Sequence, residues 1–100
     1  MAIAVKIGDI SFRTKQELTA HLRELIAGYP VGNRVSPEHK VFLGSLFQFH
    51  PDAERKLKNG LADIEVRLDE YGKKHFFVYD QFGSGEDISW TKCVSNAGRS

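Results

Sequence analysis

The stretch Asp63-Ile64-Glu65-Val66-Arg67-Leu68, then Asp69-Glu70-Tyr71-Gly72-Lys73-Lys74, then His75-Phe76-Phe77-Val78-Tyr79 decides the fold. Ile64, Val66 and Leu68 alternate with Asp63, Glu65 and Arg67, the period of a strand with one buried face. Residues 69–74 are polar and carry a glycine, which suits a hairpin loop, and His75 to Tyr79 is the returning strand, aromatic on both faces. Gln81-Phe82-Gly83-Ser84-Gly85 reads as a second turn that leads into a third strand over Asp87-Ile88-Ser89-Trp90. Residues 96–100 are expected to be a disordered tail.

Upstream, Ile3, Val5 and Ile7 alternate with Ala4 and Lys6, and Gly8-Asp9 predicts a two-residue turn before Ile10 and Phe12. Thr14 lies three residues before Glu17, as in a capping box. Leu18, Leu22, Leu25 and Ile26 then recur at helical spacing, with Gly28 as the stop. Ser36-Pro37-Glu38 opens a second helix whose apolar stripe is Phe42, Leu43, Leu46 and Phe47, ended before Pro51. Residues 52–58 suggest a short third helix capped by Asp52 and closed by Asn59-Gly60. The expectation is one α+β domain over residues 1–95. It has an N-terminal hairpin, an antiparallel sheet, two main helices and a short third helix packed on one face. The predicted core is Leu18, Leu22, Leu25, Phe42, Leu43, Leu46, Phe47, Ile64, Val66, Phe76 and Val78.

Composition bounds the function. In 100 residues, 14 Lys and Arg stand against 13 Asp and Glu, so any anion site must be a local patch rather than a general basic surface. A single cysteine excludes an internal disulfide and a CxxC metal site, which points to the cytoplasm. No stretch is long and apolar enough to expect a membrane partner. The four histidines, His21, His39, His50 and His75, show no metal-ligand spacing, so neither a metal nor another cofactor is expected. Cys93 could pair with His50 or His75 as nucleophile and base, but no orienting group or oxyanion hole is visible, and a lone cysteine more often fills a core. Asp80, Glu86 and Asp87 could bind a metal, yet they flank a glycine turn where solvated acids are ordinary. No catalytic residue is assigned.

Basic side chains gather at Arg55-Lys56-Leu57-Lys58 and at Lys73-Lys74-His75. Should these converge beside Phe77, Tyr79 or Trp90, they would pair phosphate attraction with base stacking, the means by which small domains hold single-stranded nucleic acid. The competing reading is two solvated faces, balanced by Asp52, Glu54, Asp69 and Glu70. His50 either bonds across the helix corner at Pro51 or faces a surface with Lys56 and Lys58.

The order His50-Pro51, Lys56, Gly60, Ile64, Phe76 or Phe77, Gly83, Asp87-Ile88-Ser89 and Lys92-Cys93 resembles the DCL-like family, named for the plant "defective chloroplasts and leaves" protein. The resemblance covers roughly residues 42 to 94. It implies a small α+β module associated in plants with chloroplast ribosomal RNA processing, with a similar domain at the end of the largest subunit of a plant silencing RNA polymerase. It implies no catalytic activity or cofactor. Two departures stand out: Asp80 occupies a place where the family often has Arg, and Phe82 replaces the Asp of its DG turn. The resulting expectation is a non-enzymatic module associated with RNA or a ribonucleoprotein. Its working surface would be His50, Lys56, Lys58, Lys73, Lys74, Trp90 and Lys92. The alternatives are a protein-interaction module with an exposed aromatic patch and, behind it, an accessory part of a nuclease.

Overall fold

The paired alternation is realised as a meander. In the computed structural model, β3 (Asp63–Leu68) and β4 (Lys74–Tyr79) run antiparallel, and β5 (Gly85–Ile88) adds to the other side of β4. The register sets Ile64 opposite Val78, Val66 opposite Phe76, and Phe76 opposite Ile88, so the apolar members of all three strands share one face. The structure describes residues 4–97; Ile3 of the expected first strand and residues 98–100 of the expected tail lie outside them.

A separate hairpin pairs β1 (Val5–Ile7) with β2 (Ile10–Phe12). Its two-residue turn holds Gly8 at φ 59°, a left-handed conformation that a side chain would strain. Both main helices start at their expected caps. Thr14 Oγ1 accepts from Glu17 N at 3.1 Å at the head of α1 (Lys15–Ala27). Ser36 Oγ accepts from His39 N at 3.3 Å at the head of α2 (Pro37–Phe47). The short α3 (Ala53–Lys56) follows, but Asp52 makes no side-chain capping bond to it, contrary to expectation. Asp52 instead pairs with Arg55 one turn later at 3.2 Å.

All eleven predicted core residues are buried, in one cluster with Val5, Ile7 and Ile88. The chain's end departs from the sequence reading. Trp90 does not continue a strand; it opens a further helix, α4 (Trp90–Asn96). Ser89 makes the break, its extended backbone ending β5 while its hydroxyl accepts from Lys92 N at 3.4 Å. Beyond it Cys93, Val94 and Ala97 enter the core, and Trp90 packs against it. These four positions have the i, i+3, i+4, i+7 spacing of an apolar helix stripe. Asn96 and Ala97 therefore belong to the folded domain, Asn96 bonding Phe49 O at 3.0 Å and Ala97 fully buried. α4 packs on both α1 and α2, which carries Trp90 to the neighbourhood of the β3–β4 hairpin.

Candidate functional site

The tip of the β3–β4 hairpin, the end of β5 and the start of α4 enclose a cleft of about 450 Å³. It falls within the roughly 300–1,000 Å³ usual for small-ligand sites. Arg23 of α1, Lys73, Lys74, His75, Asp87 and Trp90 are its chemically useful walls. Trp90 is half-buried, one side against the core and another against the cleft. The hairpin tip is held by Asp69, whose Oδ1 accepts from Tyr71 N at 2.8 Å and Lys73 N at 2.9 Å. Those bonds, the Lys73 one foremost, keep the Asp69 carboxyl below its ordinary pKa. Lys73 is thereby fixed in backbone position while its exposed ammonium meets no partner among the described residues; the same is true of the Arg23 guanidinium.

Lys74 is occupied. Its ammonium donates to Tyr29 O at 2.7 Å and Ala27 O at 3.3 Å, closing the free carbonyls where α1 ends. Lys74, expected on the working surface, thus also has a structural role, although its charge still lies on the cleft wall. His75 Nε2 lies 3.9 Å from Asp87 Oδ2, and its Nδ1 is buried without a hydrogen-bond partner. A second, adjoining cleft of about 890 Å³ shares His75, Asp69 and Asp87 with the first and adds Arg67, Glu70 and Lys92. The two differ in charge: the Trp90 cleft sets three fixed cations against two carboxylates, its neighbour two against three.

Of the expected surface, Lys73, Lys74 and Trp90 come together, and Lys92 lies exposed in the adjoining cleft. His50, Lys56 and Lys58 line neither. His50 is only 8% exposed, and its Nδ1 accepts from Asp52 N at 2.9 Å, which makes it the corner residue rather than a surface group. Burial, and then the charges of Lys56 and Lys92, lower its pKa. Lys56, its side chain 13% exposed, donates to Glu86 Oε1 at 2.7 Å and Asp87 O at 3.0 Å, tying α3 to β5. Lys58 is exposed beyond α3.

Sequence reasoning missed Arg23, an exposed helix position with no local signal. It also missed a ladder on the sheet's outer face. There Arg67 lies 4.0 Å over Phe77 and Arg34 lies 4.5 Å over Tyr79. Arg67 donates to Glu65 at 2.6 Å, Tyr79 OH donates to the same carboxylate at 2.8 Å, and Arg34 pairs with Asp63 at 2.6 Å. The Phe77 ring lies so close over β5 that a Cβ at Gly85 would run into it. The outward alternation of Glu65 with Arg67 and of Phe77 with Tyr79 was the available signal, but the charges of this ladder satisfy one another. Cys93 is buried, with its thiol pushed up to about 12 by burial, which removes the thiolate that a nucleophile needs. Asp80 is held by its turn, Oδ1 accepting from Phe82 N and Ser84 N at 2.9 and 3.0 Å. Among the described residues no three metal-ligating side chains cluster, and no helix is long and apolar enough to cross a membrane.

Residues 23–94 match the family model described as protein of unknown function, DUF3223, a span that includes every wall of the Trp90 cleft. The chain is similar to DNA-directed RNA polymerase V subunit 1 of Arabidopsis thaliana, 33% identical over 73 residues, which is 70% of this chain and 4% of that protein. It is also similar to Protein EMBRYO DEFECTIVE 514 of Arabidopsis thaliana, 27% identical over 92 residues, 90% of this chain and 46% of that one. The chain thus spans less than half the length of either. The solution NMR structure of an uncharacterized protein from Rhodospirillum rubrum shares the fold with a TM-score of 0.86 at 31% identity, over 93% of this chain and 89% of that one.

Proposed function

Because the chain belongs to the DUF3223 family, whose description assigns no function, we propose one from its own geometry: a DCL-like module that holds single-stranded RNA, free or in a ribonucleoprotein, at the Trp90 cleft. One observation carries this reading. The half-buried indole of Trp90 shares a cleft with Lys73 and Arg23, two fixed cations without internal partners. An aromatic wall stacks a base, and nearby cations take its phosphates. The similarity to a protein named as an RNA polymerase subunit supports the same direction. The DCL-like resemblance adds ribosomal RNA processing as a setting, and the single buried free thiol suits the cytoplasm.

With a net charge of only +1, attraction comes from a few residues, so binding is modest and falls with salt. The test is a titration of mixed-sequence single-stranded RNA at several salt concentrations. Binding at low salt that weakens with a log–log slope of about −0.7 per phosphate contact is expected; no binding at low salt overturns the reading. A second reading has its own observation. Tyr71 is 80% exposed and Leu68 51%, at one hairpin tip, as on a protein-interaction module. A protein partner held there would be insensitive to salt.

A further inference from the structure

We infer that the Trp90 cleft is a one-nucleotide site selective for guanine, with the Asp87 carboxylate as the acceptor for the base edge. This rests on the RNA reading and narrows it. The argument for one nucleotide is electrostatic. A phosphodiester strand leaving the cleft toward its neighbour would pass from excess cation to excess carboxylate, where Asp69, Glu70 and Asp87 outnumber Arg67 and Lys92. Arg67 is moreover engaged with Glu65 at 2.6 Å and lies over Phe77, so it offers little to a phosphate. Repulsion therefore disfavours extension toward the adjoining cleft, and a volume of about 450 Å³ suits one base with its sugar and phosphate.

The argument for guanine is hydrogen-bond chemistry. Of the two carboxylates in the cleft, Asp69 already accepts two backbone N–H groups. The Asp87 side chain is 72% exposed and its carboxylate accepts no hydrogen bond among the described residues, with His75 Nε2 standing 3.9 Å from it. An ionised carboxylate only accepts, through two parallel oxygens. The guanine edge offers two adjacent donors, N1–H and N2–H, in the same fork that a guanidinium presents to a carboxylate. Adenine, cytosine and uracil each set an acceptor beside their donor, which the second carboxylate oxygen repels.

Trp90 is the only tryptophan, so selectively excited tryptophan fluorescence reports on this residue. The full chain is titrated with GMP, AMP, CMP, UMP and inorganic phosphate, then with guanosine-ended oligoribonucleotides one to eight residues long. GMP is expected to quench Trp90 at a concentration about tenfold below the other nucleotides, and affinity should level off by the second residue. Asp87→Asn should erase the tenfold guanine advantage without moving the melting temperature. Equal quenching by all four nucleotides, or affinity that climbs steadily to eight residues, overturns the guanine site and leaves RNA binding intact. An equal response to inorganic phosphate overturns it as an anion site only. No quenching by any nucleotide, with RNA bound by anisotropy, overturns the site alone; no binding in either measurement overturns both readings.

Discussion

The His50 corner and the Trp90 cleft are both basic, yet they use charge in opposite ways. At the corner three groups are answered from within: His50 by Asp52 N, Lys56 by Glu86 and Asp87 O, Arg55 by Asp52 at 3.2 Å. At the cleft the Lys73 backbone is held by Asp69 and Arg23 stands on α1, while their charges remain unanswered among the described residues. A cation desolvated against its own fold contributes stability and offers nothing to a ligand. A cation left in solvent beside an aromatic wall does the reverse. The difference between a structural lysine and a binding lysine therefore lies in its partners, not in the residue.

Substitutions can break or sharpen this contrast. Both regions stand on one core, so the largest effect belongs to Leu46→Ala, a fully buried side chain. It should lose about 2–5 kcal/mol in denaturant unfolding. Next comes Lys56→Ala. Removing a hydrogen-bonded, mostly buried ammonium should cost about 1–3 kcal/mol of stability while RNA affinity stays unchanged. A drop in affinity without a drop in stability there would erase the distinction between the two regions. The double change Arg23→Ala, Lys73→Ala should do the opposite. It should weaken RNA binding about tenfold and flatten the salt slope by roughly 1.4, with the unfolding midpoint unmoved.

The smallest effect is acidic. His50 has its pKa lowered by burial from the ordinary 6.5, so the unfolded chain takes up its proton first. Stability is complete above pH 6.5 and should fall as pH drops through the depressed folded value. Thermal melts between pH 7 and pH 5 measure this, and His50→Asn, which keeps an acceptor for Asp52 N, should flatten the decline. A profile identical in wild type and variant would remove His50 as its cause.

Much of the fold was legible. Alternation at Ile64, Val66, Phe76 and Val78 set the sheet's faces, and caps at Thr14 and Ser36 set two helices. α4 was hidden because Ile88 and Trp90 continue a strand-like pattern, and only the spacing of Trp90, Cys93, Val94 and Ala97 reveals the helix. The site was half legible. Lys73 and Trp90 could be named, but Lys56 could not be told from Lys73, because Glu86 stands 30 residues away. Arg23 reaches the cleft only through the packing of α4 on α1, which no local pattern encodes. Many residues behind the DCL-like resemblance have structural duties: His50 braces a corner, Ile64 and Ile88 fill the core, Ser89 caps α4 and Cys93 is buried. Their order speaks for architecture more than for chemistry.

The loop before α2 covers the β3 side of the three-stranded sheet, and Lys56 takes one carbonyl on its β5 side. Along β3, Gly32 N donates to Val66 O at 2.7 Å, Val66 N to Asn33 O at 2.9 Å, and Val35 N to Ile64 O at 3.0 Å. Along β5, the Asp87 carbonyl is taken by Lys56. A partner peptide, or a second copy of the chain, cannot readily add a strand beside β3. On the β3 side, recognition therefore falls to side chains, with the backbone of that strand kept out of the exchange.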